Sequence, residues 1–169
     1  MRTRLGRSSS LLLSAATALT FALPRSCTPA PPEPAPAPVQ VSADIQRVVD
    51  LTNAERSARG RGALTIDGRL VDAAQRHSND MAAMNTLTHT GSDGSNPGQR
   101  MRDAGYPTSY WAENAAAGYS SADDVMNGWM NSSGHRANIL SSRVVHIGVA
   151  VAYAADGTPY WTMTLASGG

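Results

Sequence analysis

Apolar and small positions recur at Ile45, Val48, Val49 and Thr52. That is the i, i+3, i+4, i+7 spacing of one helix face. Ser42 stands where the N-cap belongs, and Gly60 and Gly62 stand where the helix should stop. Residues 64–66 read as a short extended link. Asp67 then caps a second predicted helix, on which Leu70, Ala73, Ala74, His77, Met81 and Met84 share a face. Residues 88–97 are rich in Gly, Ser, Asn and Asp and read as a loop. Pro97 opens a short helix reaching residue 104.

Residues 105–120 follow neither period and read as a long irregular stretch. They carry Tyr106, Tyr110, Trp111 and Tyr119, which could line an apolar groove, and long loops in small domains are often functional. Ser121-Ala122-Asp123-Asp124 has the form of a capping box, with two acids at the positive end of a helix. Val125, Met126, Trp129 and Met130 give that helix an apolar face, and residues 134–140 read as a turn or short helix. Residues 145–152 alternate large and small apolar side chains; Asp156-Gly157 is a turn signal, and Trp161, Met163 and Leu165 alternate with threonines. The pattern predicts a β-hairpin. Its second face, Gly148, Ala150 and Ala152, is small enough for a helix to pack closely, so the sheet is expected to be covered on both sides. The fold class expected is α+β, a sandwich.

The chain before Ser42 reads differently. Arg2, Arg4 and Arg7 precede an apolar run at residues 11–23, the plan of a secretory signal. The run is too short for a stable membrane anchor, and no later segment is apolar enough to be one. Pro24 and Arg25 obscure the cleavage position. Cys27 could accept a lipid, but Pro24-Arg25-Ser26 is unlike a lipoprotein signal, so release is expected over anchoring at the cell surface. Seven of the ten prolines lie in residues 24–38, which favours a polyproline II spacer over a recognition tail. The expected organisation is a signal region at residues 1–26, a Pro-rich linker at 27–41 and one folded domain at 42–169.

Composition narrows the classes. With 41% hydrophobic residues, 16% charged residues and a net charge of +1, the chain is neither disordered nor a dedicated nucleic-acid binder. All 14 basic residues are Arg. From Ser42 onward there are ten Arg against twelve Asp and Glu, and no Cys. An exported domain of that kind rests on its hydrophobic core and has no disulfides to help it.

Familiar local motifs for metalloproteases, serine hydrolases and phosphate binding are absent. Any site must be assembled from distant residues. His77, on an apolar helix face, reads as a core histidine, and His146, opening a strand, as structural. His89 and His135 lie in loops, where binding groups are usually displayed. Glu113 is the only acid between Asp103 and Asp123 and sits among aromatic and apolar residues. A carboxylate there is costly unless paired or coordinated. Spacing alone does not bring the three together. Ser132 and Ser133 beside His135 do not present the geometry of a nucleophile–base pair. Trp129 and Trp161 read as core.

Several segments together are similar to the CAP domain, also called the SCP/PR1-like domain, in its short disulfide-free bacterial branch. They are Thr52-Asn53-Ala54-Glu55-Arg56, residues 70–81, Leu87-Thr88-His89-Thr90, Ala112-Glu113-Asn114, Trp129-Met130-Asn131-Ser132, residues 134–140 and Ile147-Gly148-Val149. The resemblance implies an α-β-α sandwich with a small antiparallel sheet between helical layers. It also implies a cleft lined by two His and two acids. His89 and His135 match the two His and Glu113 the first acid, while the second acid falls near Ser132 and is missing. Two imidazoles and a carboxylate suffice for zinc or another divalent cation with one position open to water, and such a metal can generate a hydrolytic nucleophile. Three uses are therefore expected: a module binding metal or a small or lipidic ligand, a metal-assisted hydrolase acting through His89, Glu113 and His135, and a vestigial cleft in a domain that meets a cell-envelope or protein partner.

Overall fold

The structure is a computed structural model that describes residues 40–168; the expected signal region and all but the end of the linker lie outside them. The elements are α1 (Ala43–Ser57), β1 (Thr65–Ile66), α2 (Gly68–Met84), α3 (Pro97–Asp103), β2 (Thr108–Ala117), α4 (Ala122–Asn131), α5 (Ser133–Ile139), β3 (His146–Tyr153) and β4 (Pro159–Gly168). The predicted caps form. Ser42 Oγ accepts from Ile45 N, Asp67 from Arg69 N and Ser121 Oγ from Asp124 N, satisfying N–H groups that a helix start leaves without partners.

The four strands lie in the order β1-β3-β4-β2. β3 and β4 form the predicted hairpin, with Gly157 at φ 85° in its turn. Two expectations change. The sheet is mixed, because the two-residue β1 runs parallel to β3, with Thr65 N donating to Val145 O and Asp67 N to Ile147 O, both at 3.1 Å. The stretch expected to be irregular contains a ten-residue edge strand, β2, antiparallel to β4 from Trp111↔Ala166 to Ala117↔Tyr160. Backbone pairing with β4 holds it extended although its alanines have little intrinsic strand preference.

Both sheet faces are covered. Ile147, Val149, Trp161, Met163, Leu165, Ala112 and Ala116 pack with α1, α4 and α5 in the main core. Each such large side chain contributes on the order of 1.5–3 kcal/mol when fully buried. The opposite face carries Gly148, Ala150, Thr162, Thr164, Glu113 and Ala115 under α2. A Cβ at Gly148 would lie 2.2 Å from the Leu70 carbonyl carbon and 2.4 Å from Val71 N, so α2 touches β3 backbone to backbone. Thr164 Oγ1 donates to this contact from below, 3.0 Å from Leu70 O. Met84, expected on the buried face of α2, is 36% exposed at the helix end.

The alternation of β2 decides where the chemistry sits. Glu113 falls on the α2 and α3 side of the sheet, and its neighbour Asn114 on the α4 and α5 side. Because β2 is an edge, groups from both helical layers can reach around it.

Candidate functional site

Glu113 is the centre of a buried cluster. Its side chain is 1% exposed and Arg100, on α3, is 2% exposed; Arg100 Nη2 donates to Glu113 Oε2 at 2.8 Å. A carboxylate in such surroundings persists as an ion only when paired and hydrogen-bonded, and Arg100 supplies the pair. The same guanidinium donates from Nη1 to Ser95 O at 2.9 Å and from Nη2 to His89 O at 3.1 Å. One side chain therefore binds the loop at residues 88–96 to β2. The other carboxylate oxygen, Oε1, accepts from His89 Nδ1 at 2.9 Å. This fixes the tautomer: when His89 is neutral, its Nδ1 carries the proton and Nε2 is the free lone pair. The His89 side chain is 56% exposed, so the ring extends from a buried anchor to solvent.

His77, on α2, is fully buried. Its Nε2 donates to Thr88 O at 2.8 Å and lies 3.6 Å from Glu113 Oε1. Its Nδ1 has no hydrogen-bond partner. Burial holds its pKa below the ordinary histidine value, more strongly than Glu113 raises it, so the ring is neutral near pH 7. Donating a hydrogen bond to Glu113 instead raises the pKa of His89.

His135 reaches the same edge from α5. Asn114 Nδ2 donates to His135 O at 3.1 Å, and Asn138 Nδ2 donates to Asn114 Oδ1 at 2.9 Å and to Glu113 O at 3.3 Å. Consecutive residues of β2 thus tie down the two layers, Glu113 the loop carrying His89 and Asn114 the helix carrying His135. Burial lowers the His135 pKa, and His89 lowers it further. His135 and Ser132 also line an apolar groove of about 280 Å³ with Leu87, Ala115, Ala117, Tyr119 and Trp129.

Of the three residues singled out from sequence, His89 and Glu113 are in contact, and His135 is tied to the same strand through its main-chain carbonyl. Glu113 has both oxygens engaged, so in this arrangement it serves as the acceptor that orients His89. Among the described residues no three His, Cys, Asp or Glu side chains are grouped so as to hold a metal ion. With Glu113 engaged, the imidazoles of His89 and His135 are the donor side chains left at this edge. Sequence reasoning missed Arg100 and the polar role of His77. The signal for a cation was present, since an isolated Glu in an apolar segment requires one. The four aromatics do not form one groove. Tyr106 is 1% exposed and its Oη lies 2.7 Å from His146 Nδ1; Tyr110 stacks under Arg143 at 3.8 Å; Trp111 packs on Gly98 and Tyr119 on Gly128.

Comparison with known proteins agrees with this architecture. The family model described as the cysteine-rich secretory protein family, CAP, matches residues 49–165. The uncharacterized protein YkwD of Bacillus subtilis is 40% identical over 122 residues, covering 72% of this chain and 46% of that protein. Among solved structures, an extracellular SCP-domain protein from Bacillus anthracis is 30% identical with a TM-score of 0.66, covering 73% of this chain and 40% of the other. An outer surface protein of Borrelia burgdorferi shares the fold at a TM-score of 0.71 and 21% identity, covering 78% and 97% of the two chains. The match spans less than half the length of YkwD. No helix of the described residues is long and apolar enough to cross a membrane. With one cysteine in 169 residues and a sheet held between two helical layers, the chain belongs to the cysteine-rich secretory protein, or CAP, family, and its domain folds without disulfides.

Proposed function

We propose that this is an exported binding domain whose cleft takes a divalent cation such as zinc on His89 and His135. The observation that carries the reading is the His89–Glu113 contact. A buried carboxylate holds Nδ1–H at 2.9 Å and leaves Nε2 facing solvent. Carboxylate–imidazole pairs of this kind orient metal-binding histidines and raise their basicity. The cation would supply Lewis acidity and an ordered water. A small ligand would then meet the cation at its open positions. Export is supported by the signal-like start of the sequence and by the extracellular relative from Bacillus anthracis.

Calorimetric titration of the purified protein with zinc tests the reading. One equivalent should bind to the parent protein and none to the His89→Ala/His135→Ala variant, with folding followed by circular dichroism. Glu113→Gln should weaken binding about 10–100-fold if the carboxylate acts by orienting the ring. A parent that binds no zinc, beside an equally folded variant, overturns the proposal. Peptide or ester turnover lost both with chelator and in Glu113→Gln would move the assignment to a hydrolase.

A further inference from the structure

Beyond the imidazoles, the edge of β2 carries a second kind of binding group. In an antiparallel pair, residues bonded to the partner strand alternate with residues whose N–H and C=O point away from it. Gly118 N donates to Pro159 O at 2.9 Å, and this pair continues the register of Ala117↔Tyr160. The positions bonded to β4 are therefore Ala116, Asn114 and Ala112. Glu113, Ala115 and Ala117 face the open edge. The Glu113 carbonyl is occupied by Asn138 Nδ2. Among the described residues nothing pairs with the edge-facing groups of Ala115 or Ala117.

Ala115 and Ala117 line the groove beside His135 together with Ala116, Leu87, Tyr119 and Trp129. Leu87 is 52% exposed and Tyr119 37% exposed, so both present apolar surface along the groove. The indole N–H of Trp129 is buried without a partner. An acyl chain would satisfy the walls but would leave the edge groups desolvated and unpaired, which is unfavourable. An extended polypeptide satisfies both, because alternate side chains enter the groove while its main chain completes the ladder.

We propose that the Ala115–Ala117 edge is a docking site for an extended apolar segment of a partner polypeptide. Its main chain pairs with Ala115 and Ala117, and one apolar side chain lies between Leu87 and Tyr119. The proposal does not depend on a metal.

The test uses the full chain in the presence of chelator, so that failure of the zinc reading does not affect it. The probe is the peptide acetyl-Val-Ala-Val-Ala-Val-Lys-amide, with two analogues N-methylated on alternate residues in opposite phase. Amide NMR shifts and hydrogen exchange are read at Ala115 and Ala117. The parent peptide should shift both amides and slow their exchange. One N-methylated phase should bind at least about tenfold more weakly than the other, since only one phase removes the pairing donors. Leu87→Ala, at an exposed position that does not support the core, should weaken binding about fivefold through lost apolar contact. No shift at either amide with about 1 mM peptide overturns the proposal. So does equal binding of the two N-methylated phases. Perturbation of the same amides by decanoate and not by peptide also overturns it and assigns the groove to acyl chains.

Discussion

Replacing Arg100 by Met removes the cation from a carboxylate that is 1% exposed while keeping most of the side-chain volume. Breaking a buried pair from one side costs about 3–5 kcal/mol, because the remaining charge is left uncompensated. The His89 carbonyl also loses its donor, at about 1 kcal/mol, while the Ser95 carbonyl keeps Gly91 N at 2.9 Å. A domain of this size has roughly 5–15 kcal/mol of stability in total, so the variant sits near the limit of folding. With a urea m-value of about 2 kcal/mol/M, the unfolding midpoint should fall by about 2–3 M. The informative measurement is a double-mutant cycle with Glu113→Leu. Removing both charges should recover at least about 2 kcal/mol relative to the sum of the single variants, with the carbonyl loss remaining. A cost below about 1 kcal/mol for Arg100→Met, or additive effects in the cycle, would refute the claim that Arg100 neutralises Glu113.

Gly148→Ala should destabilise by about 3 kcal/mol or more, since the new methyl meets the α2 backbone at 2.2 Å and a helix backbone cannot yield as a side chain can. Gly134→Ala, on α5 with nothing within 4 Å, should instead be neutral or stabilising by up to about 1 kcal/mol; calorimetric melting compares the two. The depressed pKa of His77 makes stability fall as pH drops from about 6.5 through the folded value, because the unfolded chain takes up a proton that the folded one refuses. His135 acts in the same direction. His89, with a raised pKa, opposes them, adding stability below about 6.5 that is lost as pH rises through its folded value. Urea midpoints between pH 5 and 7 should therefore decline less steeply in His77→Gln, and an unchanged slope would remove His77 from the account. Ser132→Glu places a carboxylate beside His135 at a helix start where Ser132 makes no side-chain cap bond. It should tighten zinc binding about tenfold by adding a ligand, and calorimetry showing equal or weaker affinity would contradict the arrangement proposed for the cleft.

The helices were legible because their caps and apolar faces are local. Ser42, Asp67 and Ser121 each cap a helix whose buried residues recur at helical spacing. The hairpin was legible from Asp156-Gly157 and its alternating flanks. β2 was not, for a physical reason. Residues 112–116 are all buried, so the strand shows no polar–apolar alternation, and three of those five are alanines with weak strand preference. The polar members of the cluster divided the same way. A loop reading drew attention to His89 and His135; His89 does lie in a loop, but His135 is half-buried on α5. Arg100 lies beside Gln99 and Arg102 on a seven-residue helix, and nothing in that context separates a buried guanidinium from a solvated one.

The ordering of Glu113 and Asn114 on β2 also bears on how such a domain can vary. Each holds a different layer, and which layer each meets is set by whether its position along the strand is odd or even. A deletion or insertion of one residue between Trp111 and Glu113, past the irregularity at Ser109, would exchange them. The carboxylate would turn toward the apolar core under α4 and α5, and the amide would meet Arg100. Most substitutions there test one contact at a time, but a single-residue length change tests every contact of the strand at once. Changes in chain length should therefore be accepted in the turn at residues 154–158 and refused in β2, and an insertion scan read out by solubility and melting temperature would map that boundary directly.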